Sequence, residues 1–204
     1  ARERTPMTNR LIAIVGGSGA GKTWLADRLQ QALGGKAARL SLDNFYRDLS
    51  HLPAGRRARS NFDHPRSIDW KLVQKVLDDC VAGRTVRLPQ YDFASHTRSV
   101  ERVLWRPGRW ILMDGLWLLR PPAIRRLFAV RIYLDCHETV RFQRRLRRDV
   151  MERGRSEASV RTQFSKTVAP MHARYVAPQK RWANVVLEGA LTRKQVNELA
   201  AQLK

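Results

Sequence analysis

The alternation of short apolar runs with amphipathic segments predicts an α/β fold, a parallel five-stranded sheet flanked by helices. Three observations carry that expectation. Apolar runs at 11–15, 38–42, 110–113, 129–134 and 184–187 have the length of buried strands, and helical spacing fills the gaps between them. The first run passes directly into Gly16-Gly17-Ser18-Gly19-Ala20-Gly21-Lys22-Thr23, a glycine loop of the form Gly, four residues, Gly-Lys-Thr, and then into a helical pattern. At 204 residues the chain suits one domain, 1–204, with a substantial core.

Taken in order, Leu11-Ile12-Ala13-Ile14-Val15 is a strand buried on both faces, and Trp24, Leu25, Leu29 and Leu33 recur at helical spacing over 22–33. After the strand at 38–42, residues 44–67 are rich in Arg, Pro, Asn and Asp and read as a long ordered loop, a type usually tied to function. A helix at 69–82 precedes the segment 84–104, which breaks the alternation. Thr85–Leu88 and Ser99–Val103 there are β-like and enclose Pro89, Tyr91, Asp92, Phe93 and His96, a β-hairpin outside the main sheet that suits a cover for a substrate. Further helices are expected at 121–127, after Pro121 and Pro122, and at 137–152, 156–173 and 192–203.

The composition, 43% apolar and 28% charged, is that of a soluble globular protein, and no apolar stretch approaches the roughly 18 residues of a membrane span. Ala1–Asn9 is polar and lacks a secretory core, so the expected location is cytoplasmic. Cys80 and Cys136 have no metal-ligand spacing and read as free buried thiols. The net charge of +21 rests on 31 arginines and 8 lysines spread along the whole chain. That distribution reads as a solvated, arginine-biased surface, and nucleic acid is not the expected partner.

The glycine loop is a phosphate cradle, or P-loop. Its glycines let successive backbone N–H groups turn inward around phosphate oxygens at the positive end of a helix. Lys22 then reaches the β- and γ-phosphates of a nucleoside triphosphate, and the Thr23 hydroxyl holds Mg²⁺. Asp114 closes the apolar strand Ile111-Leu112-Met113 and supplies the metal-side carboxylate. Asp43 follows the second strand and emerges at the same carboxyl edge, either as the acceptor of a hydroxyl proton or as the cap of a turn. Arg141, Arg145 and Arg148 share one helix face, and Arg153 and Arg155 follow in the next turn. Like charges so spaced repel unless an anion or carboxylate sits between them, so the group is either a cationic lid over the γ-phosphate or a solvated face.

The ordered motifs resemble the uridine kinase (uridine–cytidine kinase) family over nearly the whole chain. They are GGSGAGKT at 16–23, LDNFYRDLS at 42–50, NFDHP at 61–65, PQYDFASHTR at 89–98, ILMDGLWLL at 111–119, RRDVMERGRS at 147–156 and PMHARYVAPQKRWA at 170–183. The resemblance implies transfer of the γ-phosphoryl group of ATP to the 5′-hydroxyl of uridine or cytidine. It implies that Asp43 is the catalytic base with Tyr46 beside it, and that Asp63 and Arg145 bind the ribose hydroxyls. Tyr91, Phe93 and His96 would line the base pocket, Arg148 and Arg153 would hold ATP phosphates from a lid at 141–156, and Arg155 and Gln163 would lie on the nucleoside side. A homotetramer and feedback inhibition by pyrimidine triphosphates are implied as well. Asp114 departs from the Glu usual in the family, and Trp117 close behind it is bulky enough to narrow a pocket wall. The alternatives are a related P-loop kinase acting on a phosphosugar or pantothenate, and a nucleic-acid-binding P-loop ATPase.

Overall fold

The computed structural model describes residues 9–57, 59–189 and 191–204, so the N-terminal expectation, Asn9 apart, lies outside the described residues. Along the chain run β1 (Arg10–Gly16), α1 (Lys22–Leu33), β2 (Ala37–Ser41), α2 (Ala54–Arg57), α3 (Trp70–Val81), β3 (Val86–Leu88), β4 (Tyr91–Asp92), β5 (Thr97–Arg98) and β6 (Val103–Trp105). They continue with β7 (Trp110–Gly115), α4 (Pro122–Arg125), β8 (Phe128–Asp135), α5 (Glu138–Met151), α6 (Glu157–Gln163), α7 (Ala169–Met171), β9 (Val185–Glu188) and α8 (Arg193–Leu203). Five strands form the main sheet in the order β2-β7-β1-β8-β9, all parallel. The expected architecture is therefore present.

β1 takes the centre because its side chains are apolar on both faces. Leu11, Ala13 and Val15 join Ile111 and Met113 of β7 and Val73, Val76 and Leu77 of α3 in one core. Ile12 and Ile14 face the other way, into a second core with Leu112, Ile132, Leu25 and Leu29 of α1, and Leu199 and Leu203 of α8. Burying each such Leu or Ile is worth about 1.5–3 kcal/mol relative to exposure, before the entropy of ordering is charged against it. The helix ends are capped locally. The Asp69 side chain accepts from Leu72 N–H at the start of α3, and Thr192 and Gln195 close a reciprocal box at the start of α8.

Four expectations about the elements need correction. The second strand stops at Ser41, whose hydroxyl accepts from Asp43 N–H, and Leu42–Phe45 forms a 3₁₀ turn. In the hairpin the outer pairing is β3 with β6, Val86 opposite Trp105, while β4 pairs with β5 at the tip. Residues 99–102 lie between the two pairings rather than in a strand. The helix expected over 156–173 is α-helical to Gln163 and then alternates, with π turns at Phe164–Val168 and His172–Val176 on either side of the short α-helical stretch α7 that holds Pro170. Proline has no N–H for the i−4 carbonyl, so the chain shifts register to keep its other bonds. The helix expected over 121–127 is a single turn, Pro122–Arg125.

Trp117 does not form a pocket wall: it is 1% exposed and packs in the first core. Gln179 fixes the chain just beyond β7. Its side chain is 0% exposed, accepts from Leu119 N–H, and donates to the Leu116, Tyr175 and Val176 carbonyls. Gln179→Leu leaves those backbone groups unpaired in the core and is expected to destabilise the protein by about 1–3 kcal/mol in urea denaturation.

Candidate active site

The parallel sheet delivers three loops to one edge. Gly16 ends β1, Asp114 lies opposite Ile14 near the end of β7, and Ser41 lies opposite Asp114 at the end of β2. Open α/β sheets bind ligands at this carboxyl edge. Gly19 and Gly21 have φ of 80° and 95°, the left-handed region that bends the loop back towards α1. α1 has no side-chain cap, so its first N–H groups stay available for an anion. The loop is also pressed from behind. A Cβ on Gly17 would lie 2.6 Å from Arg141 Nη1, and one on Gly19 would lie 2.3 Å from the Arg141 carbonyl oxygen.

Lys22 donates from Nζ to the Gly17 carbonyl at 3.0 Å. Burial lowers its pKa, and the carboxylates of Asp114 and Asp43 act against that shift. Burial raises the pKa of Asp43, and Lys22 opposes it. The two groups therefore face each other across the edge of the sheet, each opposing the shift that burial imposes on the other. Thr23 Oγ1 donates to Asp114 Oδ2 at 3.4 Å, while Asp114 Oδ1 faces the Arg39 guanidinium, also at 3.4 Å. Among the described residues no cluster of three or more His, Cys, Asp or Glu side chains is placed to hold a metal. A hydroxyl and one carboxylate beside a phosphate cradle do fit Mg²⁺, which keeps waters and takes its remaining ligands from substrate phosphates.

A second group of residues faces the first. Tyr46, Tyr91 and Phe93 are in mutual contact, with ring centroids 5.1–6.3 Å apart, and His96 stacks on Phe62 at 4.4 Å. Tyr46 donates to the Phe62 carbonyl, whereas the Tyr91 hydroxyl is buried with no partner among the described residues. Burial pushes that Tyr91 hydroxyl up to about 12. His96 has φ of 56°, and burial lowers its pKa, so it is neutral at pH 7. Asp63 is half-buried, and its carboxylate makes no hydrogen bond or ion pair among the described residues. Burial raises its pKa, and Arg145 is the foremost charge working in the other direction.

The arginine cluster differs from the single convergent face the spacing suggests. Arg141 is 2% exposed and lies against the cradle rather than on the open side. Arg145 donates to Ser18 Oγ at 2.9 Å and to Gln163 Oε1 at 3.0 Å. The missing counter-charge is Asp149, which sequence reasoning passed over. Asp149 is 0% exposed and is bonded by Arg148 at 2.7 and 2.9 Å, with Arg145, Arg153 and Arg155 within 3.5 Å. Its signal was present: like charges four apart demand a carboxylate, and Asp149 sits four residues after Arg145. Arg153 lies over the Phe93 ring at 5.7 Å, so the arginine turn touches the hairpin, and Arg155 bonds Gln163. Phe62 was also passed over, although the NFDHP run contains it. A surface groove of about 580 Å³ between α3 and α4 contains none of these residues.

Residues 11–195 match the phosphoribulokinase / uridine kinase family. The chain is 42% identical over 180 residues to the uridine kinase of Chloroflexus aurantiacus, covering 88% of this chain and 86% of that protein. Against the uridine kinase of Deinococcus deserti it is 37% identical over 196 residues, 95% of each. Among solved structures, phosphoribulokinase from Rhodobacter spheroides superposes with a TM-score of 0.66 at 14% identity, over 94% of this chain and 74% of that one, a likeness of fold. No helix among the described residues is long and apolar enough to cross a membrane.

Asp149→Ala strips one buried carboxylate from four arginines. Breaking a buried ionic group typically costs about 3–5 kcal/mol, and a loss of that order is expected in chemical denaturation, partly recovered by Asp149→Glu.

Proposed function

The chain belongs to the phosphoribulokinase / uridine kinase family, and on that footing we propose that it transfers the γ-phosphoryl group of ATP to the 5′-hydroxyl of uridine or cytidine. One observation carries the proposal: a phosphate cradle with its lysine faces a half-buried carboxylate, Asp43, that adjoins a cluster of aromatic rings. A sugar phosphate calls for cations at the acceptor side. Tyr46, Tyr91, Phe93 and the neutral His96 instead offer a slot for a planar base.

In this reading the loop 16–23 holds the triphosphate through backbone N–H groups, and Lys22 neutralises the β- and γ-oxygens. Thr23 and Asp114 would hold Mg²⁺, which would supply positive charge to the transferring phosphoryl group. Asp43 accepts the proton of the attacking hydroxyl, and its burial suits it to do so because a raised pKa makes it a stronger base. Asp63 and Arg145 take the ribose hydroxyls, with Arg155 and Gln163 beside them. His96 presents one nitrogen that donates or accepts according to tautomer, which serves a uracil carbonyl or a cytosine amine alike. Arg148 and Arg153 close over the phosphates, positioned by Asp149.

The proposal extends to one kinase domain working in the cytoplasm as a homotetramer. Free thiols at Cys80 and Cys136 accord with a reducing compartment, and the exposed Val100, Val103 and Leu104 of the hairpin accord with a subunit contact.

ADP release measured across ribonucleosides, 2′-deoxynucleosides and phosphosugars tests the assignment. Turnover confined to phosphosugars would overturn it. Asp63→Ala is expected to narrow the preference for uridine over 2′-deoxyuridine, because a buried carboxylate no longer waits unpaired for the missing hydroxyl. Asp43→Asn is expected to lower kcat by about 10²–10⁴-fold with ATP affinity retained. Because burial raises the pKa of Asp43, the acid limb of the kcat profile should lie above the usual carboxylate range, with activity lost as pH falls through it. That limb should be absent from the residual rate of Asp43→Asn.

A further inference from the structure

Two charged residues beside the metal-side carboxylate take no part in the chemistry above. Thr23 and Asp27 stand one turn apart on α1, so their side chains share a face. β2 lies against β7 with Arg39 opposite Leu112 and Ser41 opposite Asp114. Cross-strand partners point to the same side of a sheet, and so do residues two apart in a strand. Arg39 and Asp114 therefore project together towards α1. The guanidinium closes the gap: Nε and Nη2 approach Asp114 Oδ1 at 3.4 Å, while Nη1 is bonded to Asp27 Oδ1. Thr23 donates to the other Asp114 oxygen.

The partners differ in their surroundings. The Asp114 side chain is 6% exposed, Arg39 25% and Asp27 48%. One cation is thus shared between a buried carboxylate at the cradle and a more solvated one behind it. Arg39 thus pairs with both carboxylates at once, bonded to Asp27 through Nη1 and facing Asp114 through Nε and Nη2.

The geometry points to the Asp27–Arg39 pair as a built-in counterweight that sets how strongly Asp114 binds a divalent cation. Arg39 is a positioning residue here, acting through Asp114. It orients one Asp114 oxygen, leaves the other to Thr23, and opposes a second cation at the same carboxylate. Asp27 tempers that opposition by drawing the guanidinium towards α1. Two carboxylates and one guanidinium carry a net charge of −1; without Arg39 the set is −2, and without the Asp27 charge it is neutral. Affinity for a cation must move in opposite directions in the two cases, which a merely structural role for the pair would not produce. The inference rests on Thr23 and Asp114 holding the metal, as proposed above.

Mn²⁺ binding to the whole 204-residue chain with ADP, followed by electron paramagnetic resonance of free Mn²⁺, reads the effect without catalysis. A unit charge roughly 7 Å from a divalent ion changes affinity by about 7-fold at the dielectric of water and by more at the lower effective dielectric of a partly buried site, so a change of about 10-fold or more is the effect to be read. Arg39→Met is expected to tighten Mn²⁺ by that factor, Asp27→Asn to weaken it by a similar one, and Arg39→Lys to stay near the parent. Thermal midpoints taken without metal show that each variant is folded. Should Arg39→Met misfold, Asp27→Asn alone decides, since it removes only a half-exposed charge. Asp114→Ala separates the two claims. If it abolishes Mn²⁺ binding while Arg39→Met and Asp27→Asn leave affinity unchanged, or shift it in the same direction, the counterweight is wrong and the metal site stands. If Asp114→Ala has no effect, both fall.

Discussion

Parallel pairing around β1 is the constraint on which everything else rests. A strand apolar on both faces has to be central, and its parallel neighbours must end at the same edge of the sheet. The pairings Ile14 with Asp114, Ser41 with Asp114 and Gly16 with Leu134 bring the glycine loop, Asp114 and the turn bearing Asp43 together without any of them touching in sequence. A slip of one residue in β7 would turn Asp114 into the α3 core and put an apolar side chain at the cradle. The chemistry of the edge is therefore protected by the burial of Ile12, Ile14, Leu112 and Ile132 on one side and Val15, Ile111 and Met113 on the other.

A net charge of +21 raises the question of how so many guanidinium groups share one surface. Asp149 gathers four around a single buried carboxylate. Others lie over rings: Arg125 and Arg181 are each 4.3 Å from the Trp182 centroid, and Arg120 and Arg174 are 4.7 and 5.3 Å from that of Tyr175. Stacking suits arginine because its planar group is weakly hydrated, and lysine could not replace it on equal terms. Arginine's use in the interior is the more consequential. α5 buries Arg141, Arg145 and Asp149 where an ordinary amphipathic helix buries apolar side chains, and each of these contacts the glycine loop, the arginine turn or both. The helix thereby joins phosphate loop, arginine turn and Gln163 into one hydrogen-bonded body.

The hairpin and the arginine turn meet through Arg153 and Phe93, and the long segment before α3 is tied down by the Tyr46–Ile68 bridge and by Asp69 N–H on the Phe45 carbonyl. Aromatic side chains from three separate stretches, Tyr46, Phe62 and the hairpin residues Tyr91, Phe93 and His96, are thus brought into one cluster. Loop conformation of this kind depends on contacts between distant segments. The β-like stretch 99–103 was accordingly misplaced, since its pairing is decided by where β3 starts and not by its own composition.

By itself the sequence determined the α/β architecture, the five strands, the cradle and its helix, and the short list of polar residues that gather at one edge. Those are local properties: hydrophobic period, glycine placement, and a lysine and threonine at fixed spacing. Only the tertiary structure decided which charge meets which. Asp149 among its arginines, Arg141 wedged behind Gly17, Trp117 in the core and Arg39 between Asp27 and Asp114 all depend on strand register and helix packing. The physical reason is that an ion pair is fixed by distance in space. Residues separated by 75 positions, such as Arg39 and Asp114, carry no mark in the chain that they will meet.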